Sequence, residues 1–472
     1  MRSKLSSVGP LFASLATLVA APLVVATNAD AAGFATARFG AEHGHPTTEN
    51  PTALYYNPAG LAEDTPGFSE KDWRVKIFVD GNVALRAASF THAPSEYDEA
   101  DPEGAPGANA GTADLFNVIT APAAFASFQL GDFALGAGFF VPFGGQSSWS
   151  QNDTFANNKQ FAGPVDGVQR WHSIDGVIRS MYLSLGAAYD IADRVSVGAS
   201  FNMVKSEIKT LRARIPDGSN DVVREGRSLI EVEGWHGAFG VGVTGEVVKN
   251  KVWVGASYQS QPGLGDMTLE GTLTNNFAGQ ETEFDVKLIQ QLPDIYRLGI
   301  RARPTDDWEL RLFGDFQNWK VFKNQCVLQS EFSDCPMNDD GSFAGDSAKA
   351  PLLNIVRNWG AAFGVRGGAS YWVLPELETY LGAGFDSNAV PDSTLEPALT
   401  DFAKISAAAG ARYSLDETLA IALTYAHIFY LDRDTTGKSE LPTLEAPSKT
   451  PDSGGEYTQT IGVVNVNAQV SF

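Results

Sequence analysis

From Trp73 to Phe472 the chain repeats one unit: an alternating strand, a short polar turn, a second alternating strand, then a long polar loop. Short turns fall at Gly131-Asp132, Ala192-Asp193, Lys249-Asn250, Pro304-Thr305-Asp306, Leu374-Pro375 and Leu415-Asp416. Long connections run roughly over 92–112, 143–176, 213–225, 261–284, 324–354, 389–401 and 432–457. Six short turns alternating with seven long loops require fourteen strands. An even strand number, with tight turns on one side and long loops on the other, is the requirement of an outer-membrane β-barrel.

Period-two patterning supports the count. In the last strand Val464, Val466, Ala468, Val470 and Phe472 take one face, and Asn465, Asn467, Gln469 and Ser471 the other. Leu419, Ile421, Leu423, Tyr425 and Phe429 oppose Ala420, Ala422, Thr424 and Ala426. A soluble sandwich alternates in the same way, so the tryptophans are used to decide. Trp73, Trp253, Trp308 and Trp372 sit at short-turn or N-terminal strand ends, Trp319 and Trp359 at long-loop ends. Two aromatic belts are what a bilayer favours. A closed all-β barrel also leaves no unpaired edge in lipid, which makes a monomer the simplest expectation.

The N-terminus reads as an export signal: Arg2 and Lys4, an apolar run from Leu11 to Val25, then Ala29-Asp30-Ala31 as a small-x-small cleavage site. Residues 1–31 are therefore expected to be a signal peptide, and no later run approaches the ~20 apolar residues of a spanning helix. A net charge of -22 leaves no basic stripe for nucleic acid. Cys326 and Cys335, nine apart in one polar segment of an exported chain, are expected to form a local disulfide. With no His or further Cys beside them, no metal is expected. No phosphate loop or nucleophile signature implies a cofactor or an enzyme. The acidic run Glu96, Asp98, Glu99, Asp101 and Glu103 reads as a solvated face, with binding of divalent cations among anionic lipopolysaccharide as the alternative. A chain ending on Phe472 resembles the signal read by the barrel-assembly machinery during insertion.

Ahead of the first strand stands Asn50-Pro51-Thr52-Ala53-Leu54-Tyr55-Tyr56-Asn57-Pro58-Ala59-Gly60-Leu61-Ala62. Taken bare, Asn-Pro-Ala-Gly is a turn signal. With Ala32-Gly33-Phe34, Val141-Pro142-Phe143-Gly144, Leu292-Pro293-Asp294, Asn318-Trp319-Lys320-Val321-Phe322 and Ala389-Val390-Pro391-Asp392, in this order, it resembles the FadL family of outer-membrane transporters for long-chain fatty acids and other hydrophobic compounds. The departure is His43-Gly44-His45-Pro46-Thr47-Thr48-Glu49, where the family is usually smaller and richer in Ala and Gly.

The resemblance implies a 14-stranded barrel over 73–472, with residues 32–72 as a hatch inside it and the Asn57, Pro58, Ala59 motif serving transport. A hydrophobic ligand, fatty acid or aromatic hydrocarbon, would dock among the long loops, move to an inner pocket and leave through a gap at the third strand. There Gly136, Gly138 and Pro142 weaken the ladder, although the glycines could equally make room for the hatch. Phe143, Trp149, Phe155, Phe161 and Trp171 are the candidate docking rings, with a small core of the loop's own as the alternative. Arg297, Arg301 and Arg311 face the lumen as candidate carboxylate anchors, against an internal salt-bridge ladder with Glu309, Asp315 and hatch acids.

Overall fold

The computed structural model describes residues 30–31, 35–36, 38–63, 73–192, 194–338, 342–444 and 450–472. Apart from Asp30 and Ala31, the expected signal peptide lies outside them, as do 32–34, 37 and 64–72 of the expected hatch.

Fourteen antiparallel strands close a barrel. They are β1 (Trp73–His92), β2 (Gly111–Leu130), β3 (Phe133–Gln146), β4 (Asp175–Asp190), β5 (Val195–Arg214), β6 (Gly226–Val248) and β7 (Val252–Gln259). The second half is β8 (Ile295–Thr305), β9 (Trp308–Gln317), β10 (Ala362–Leu374), β11 (Leu377–Asp386), β12 (Lys404–Ser414), β13 (Leu419–Tyr430) and β14 (Glu456–Ser471). Closure comes from β14 lying along β1, Ser471 opposite Lys76 through to Glu456 opposite Thr91.

Alternation does what the patterning predicts. Val466, Leu423, Phe201 and Leu298 are exposed on the wall, while Asn465, Asn467, Asn202 and Arg297 are buried inside. The outward face is apolar because lipid solvates it; the inward face can hold polar groups only by pairing them.

The aromatic belts are real but differently built. Trp73 and Trp308 face out at the short-turn ends, whereas Trp253, Trp319 and Trp359 are buried. Trp253 and Trp372 turn inward beneath Arg301 and Arg303, at 4.4 and 5.2 Å. The belt at the long-loop ends is carried instead by Tyr258, Tyr296, Phe316, Phe363 and Phe385, linked across adjacent strands at 4.9, 6.2 and 6.0 Å.

The segment expected to be the loop 261–284 is a hairpin. Met267–Phe277 pairs with Gln280–Gln290 across Ala278-Gly279, both with positive φ as a two-residue turn demands. The first strand pairs antiparallel with the outer end of β6; the second pairs with Asn324–Gln329, which pairs with Leu353–Val356. This outer leaf turns Leu269, Leu273, Leu288, Val327 and Ile355 into the barrel's main core. A disulfide joins Cys326 and Cys335 at its edge. The acidic first loop is not simply solvated. Asp98 contacts His92 at 3.1 Å and accepts from Asn220, and Asp101 accepts from the Gly107 and Asn109 amides.

Candidate functional site

Residues 38–63 lie inside the lumen, touching the wall from β1 round to β11. The Gly40 amide donates to Asp80 Oδ1 at 2.8 Å, Lys76 Nζ to Glu49 O at 2.9 Å, and Ser257 Oγ to Tyr56 O at 2.6 Å. His43 Nε2 meets Glu378 Oε1 at 3.0 Å. The segment's fold is local: one helical turn, Ala53–Tyr56, then a 3₁₀ turn, Pro58–Ala62. Asn57 caps the second turn, its Oδ1 accepting from Ala59 N at 3.2 Å, and Pro58 occupies the first position, where a missing N–H costs nothing.

Asn57 also ties the turn to its surroundings. Its Nδ2 lies 2.8 Å from Pro46 O, 3.0 Å from Val243 O and 3.0 Å from Thr244 Oγ1. The wall admits this turn only because three strands carry glycine where it approaches. A Cβ on Gly198 would lie 2.4 Å from Ala59 N, one on Gly242 1.9 Å from Asn57 Oδ1, and one on Gly255 2.2 Å from Pro46 O. Sequence reading did not single out these glycines, since nothing local separates them from the other Gly residues among 47.

Above the segment lies a cavity of about 140 Å³, reaching Tyr55, Arg297, Phe313, Asp315, Arg366 and Lys404. Most of its charges are matched: Arg366 with Asp315 and Asp386 at 3.0 and 2.5 Å, Lys404 with Asp401 at 3.3 Å. Of the three candidate arginines, two belong to the internal ladder. Arg301 bridges Glu49 and Glu63 of the inner segment, and Arg311 bonds Glu309 Oε1 at 3.1 Å and Ser370 Oγ at 2.8 Å. Arg297 differs. It stacks on Tyr55 at 4.4 Å and shares Gln259 Oε1, with no carboxylate in ion-pairing distance among the described residues.

The wall ladder is interrupted beside β3, where Ala35 of the N-terminal segment pairs with Phe143. Its ladder with β2 holds from Leu130↔Phe133 to Ala124↔Phe139 and stops there, while β3 shifts register against β4 between Phe140 and Phe143. Residues 111–123 of β2 therefore have β1 as their only ladder partner, although Asp114 O accepts from Ser150 N at 2.9 Å and Asn117 Nδ2 donates to Ser148 O at 3.0 Å beyond the end of β3. Pro142 sits in the shift, and Pro122 stands just past the last paired residue of β2; neither has an N–H to donate. Gly136 and Gly138 are not part of the break. Both lie within the intact ladder, and a Cβ there would meet Leu61 at 2.8 Å and Phe125 at 2.8 Å. They make room for the inner segment and its neighbours. Pro122 was the signal left unread.

The five candidate rings divide. Phe143 joins a buried aromatic file from Tyr55 through Phe140, Tyr182 and Phe143 to Trp319 and Trp359, with centroids 5.2, 5.5, 6.4, 6.0 and 5.0 Å apart. Trp149 packs into the same core. Phe155 and Trp171, with Phe161 against them, form a separate small core with Ala213, Ile215 and Val222. These three hold the long loops together rather than line a common groove.

The model of the outer membrane protein transport family (OMPP1/FadL/TodX) matches residues 12–472. The chain belongs to this family. It is thus an outer-membrane barrel of a family that transports hydrophobic compounds. Among solved structures it is similar to a Pseudomonas aeruginosa FadL homologue, at 15% identity over 94% of this chain and 99% of that one, with a TM-score of 0.69. It is also similar to the Ralstonia pickettii toluene transporter TbuX, at 17% identity, 94% and 97% coverage and a TM-score of 0.56. The Pseudomonas putida toluene transporter TodX aligns at 15% identity, 89% and 94% coverage and a TM-score of 0.58. No curated protein matches the chain in a direct sequence comparison. At these identities the structures establish the fold, and the family the general class of cargo.

Proposed function

We propose that the protein carries long-chain fatty acids passively across the outer membrane, with residues 38–63 as the described part of a hatch and the break beside β3 as the exit into the bilayer. The observation that carries this reading is the coincidence of two features: the file of buried rings passes Phe140 and Phe143, and β3 loses its β2 partner just before Phe140 and shifts register against β4 between Phe140 and Phe143. An apolar chain moving along the rings reaches lipid without crossing water. The short-turn end favours that route over a straight axial one. Its cavity of about 680 Å³ is lined by Glu49, Arg301, Arg303, Asp306, Glu309 and Glu378, a setting hostile to an acyl chain. Arg297, facing the inner cavity without a carboxylate partner, is the anchor for the acid group there.

A second reading, uptake of monoaromatic hydrocarbons, is favoured by the ring file itself and by the toluene transporters of the same fold. Uptake of labelled oleate and of toluene by cells lacking their own transporters separates the two. Oleate uptake that disappears when Asn57, Pro58 and Ala59 are deleted from a properly inserted protein is the expected result. Toluene uptake without oleate uptake would overturn the fatty-acid assignment.

A further inference from the structure

A second pocket, about 60 Å³, lies among the long loops at the outer end of β4 and β5. Its walls are largely aliphatic: Ile178, Ile208, Ile230, Leu288, Ile355 and Leu399. Into it projects Arg212, only 5% exposed. The other charges there are engaged. Arg86 donates to Thr400 Oγ1 and Gln459 Oε1 at 2.8 and 2.9 Å, and Lys209 pairs with Glu231 at 2.5 Å. Arg357 holds Glu396, which also meets His172 at 3.2 Å. Arg212 makes no hydrogen bond and no ion pair with any described residue, and its Nε is enclosed without an acceptor.

A guanidinium that cannot lose its proton is costly to enclose without a counter-charge, and the only acid lining this pocket is already held by Arg357. What the site lacks is an anionic acceptor with two oxygens and an apolar continuation. We propose that Arg212 is the outer anchor for the carboxylate of an amphiphilic ligand, selecting acids over neutral hydrophobes before they enter the barrel. The inference rests on the uptake reading above and names the ligand class of its first docking step. The pocket holds a head group and the first methylenes, not a whole chain. It shares Gly145 and Gln146 with the distal end of β3, and Ser147 follows just beyond, so a tail leaving it starts beside the wall break.

The test compares oleate with oleyl alcohol, which has the same chain and no charge. Binding to the purified full-length protein in lipid nanodiscs is measured beside cellular uptake, for wild type, Arg212→Gln and Arg212→Lys. Loss of one charge-assisted contact predicts roughly tenfold to a hundredfold weaker oleate binding by Arg212→Gln, with oleyl alcohol unchanged and Arg212→Lys recovering most of the loss. Removing an unpaired buried cation should not unfold the barrel, and its heat-dependent gel mobility verifies this. Equal oleate binding by wild type and Arg212→Gln refutes the anchor and leaves uptake standing. An equal loss of both ligands assigns Arg212 a structural role and also refutes it. Wild-type uptake of the alcohol but not the acid removes the anchor alone, and uptake of neither removes the transport reading with it.

Discussion

Replacing Asn57 by Ala tests whether the inner segment is held as a unit by its central motif. The amide carries two N–H hydrogens, offered to Pro46 O, Val243 O and Thr244 Oγ1, and one acceptor taken by the Ala59 amide. At 1% exposure no water replaces them. Two donated bonds and one accepted bond, at about 0.5–1.5 kcal/mol each, give a loss of about 1.5–4.5 kcal/mol. That raises the opening equilibrium of the segment roughly tenfold to a thousandfold. Hydrogen exchange read by mass spectrometry on peptides from 38–63 measures this directly, with the strands as an internal reference. Protection of 38–63 should fall while that of β1–β14 holds, and Asn57→Asp should fall further, since its carboxylate faces three oxygens. Unchanged protection in 38–63 would refute the argument. So would an equal fall throughout the barrel, because Asn57 would then be bracing the wall.

The glycine cradle gives a second test: in Gly198→Ala the new Cβ meets the backbone of Pro58 and Ala59 at 2.4 Å, so the inner segment cannot seat. A steady ion current in planar bilayers, absent from the wild type, is the expected outcome from a barrel that still shows heat-dependent gel mobility. Arg301→Ala leaves buried Glu63 and half-buried Glu49 without their partner and should destabilise the protein by about 3–5 kcal/mol. Arg297→Gln removes no ion pair, so its midpoint of thermal unfolding should stay close to that of the wild type. The loop between β11 and β12 carries a pH dependence. Burial alone would raise the Glu396 carboxyl, but Arg357 and His172 outweigh it and hold the pKa down to about 2. Because the folded value is depressed, this clasp is fully present above the ordinary carboxylate range and is lost as pH falls through about 2. Pepsin should therefore cut 387–403 slowly at pH 4 and faster at pH 2, and Glu396→Gln should be cut at similar rates at both (the two digestions scaled for pepsin's own activity).

Strand number, facing and closure were legible because each depends on a local signal, the parity of apolar residues between polar turns. The belts were misread for the same reason. A tryptophan near a strand end has one sequence position whichever way its ring points, and parity sends Trp253 inward with Gly255 and Ser257. The outer leaf was missed because its solvent face is rich in Thr, Glu and Asn, which reads as loop until its partner strands are in view. Arg297 and Arg301 look alike in the sequence. What separates them is where Glu49 and Glu63 come to rest, a long-range fact. Arg212 was invisible for the converse reason, since its distinction is the partner it lacks.

One local signal, glycine or proline in the third strand, turned out to serve two physical ends. Glycine removes a side chain and leaves the N–H, so Gly136 and Gly138 keep their ladder and yield volume to Leu54 and Leu61. Proline keeps a side chain and removes the N–H, so Pro142 yields no volume and breaks the ladder where β2 and β3 part. A wall that admits an inner segment and, as proposed, opens to lipid needs both kinds of loss, at different heights. The ordering along β3, glycines toward the short turn and proline toward the long loop, places the seat of the segment below the break. On the proposed route, ligand passing along the rings would meet the break before it reaches Asn57. On the proposed reading the inner segment would close the axial path, and the sideways path would be set by the strand itself.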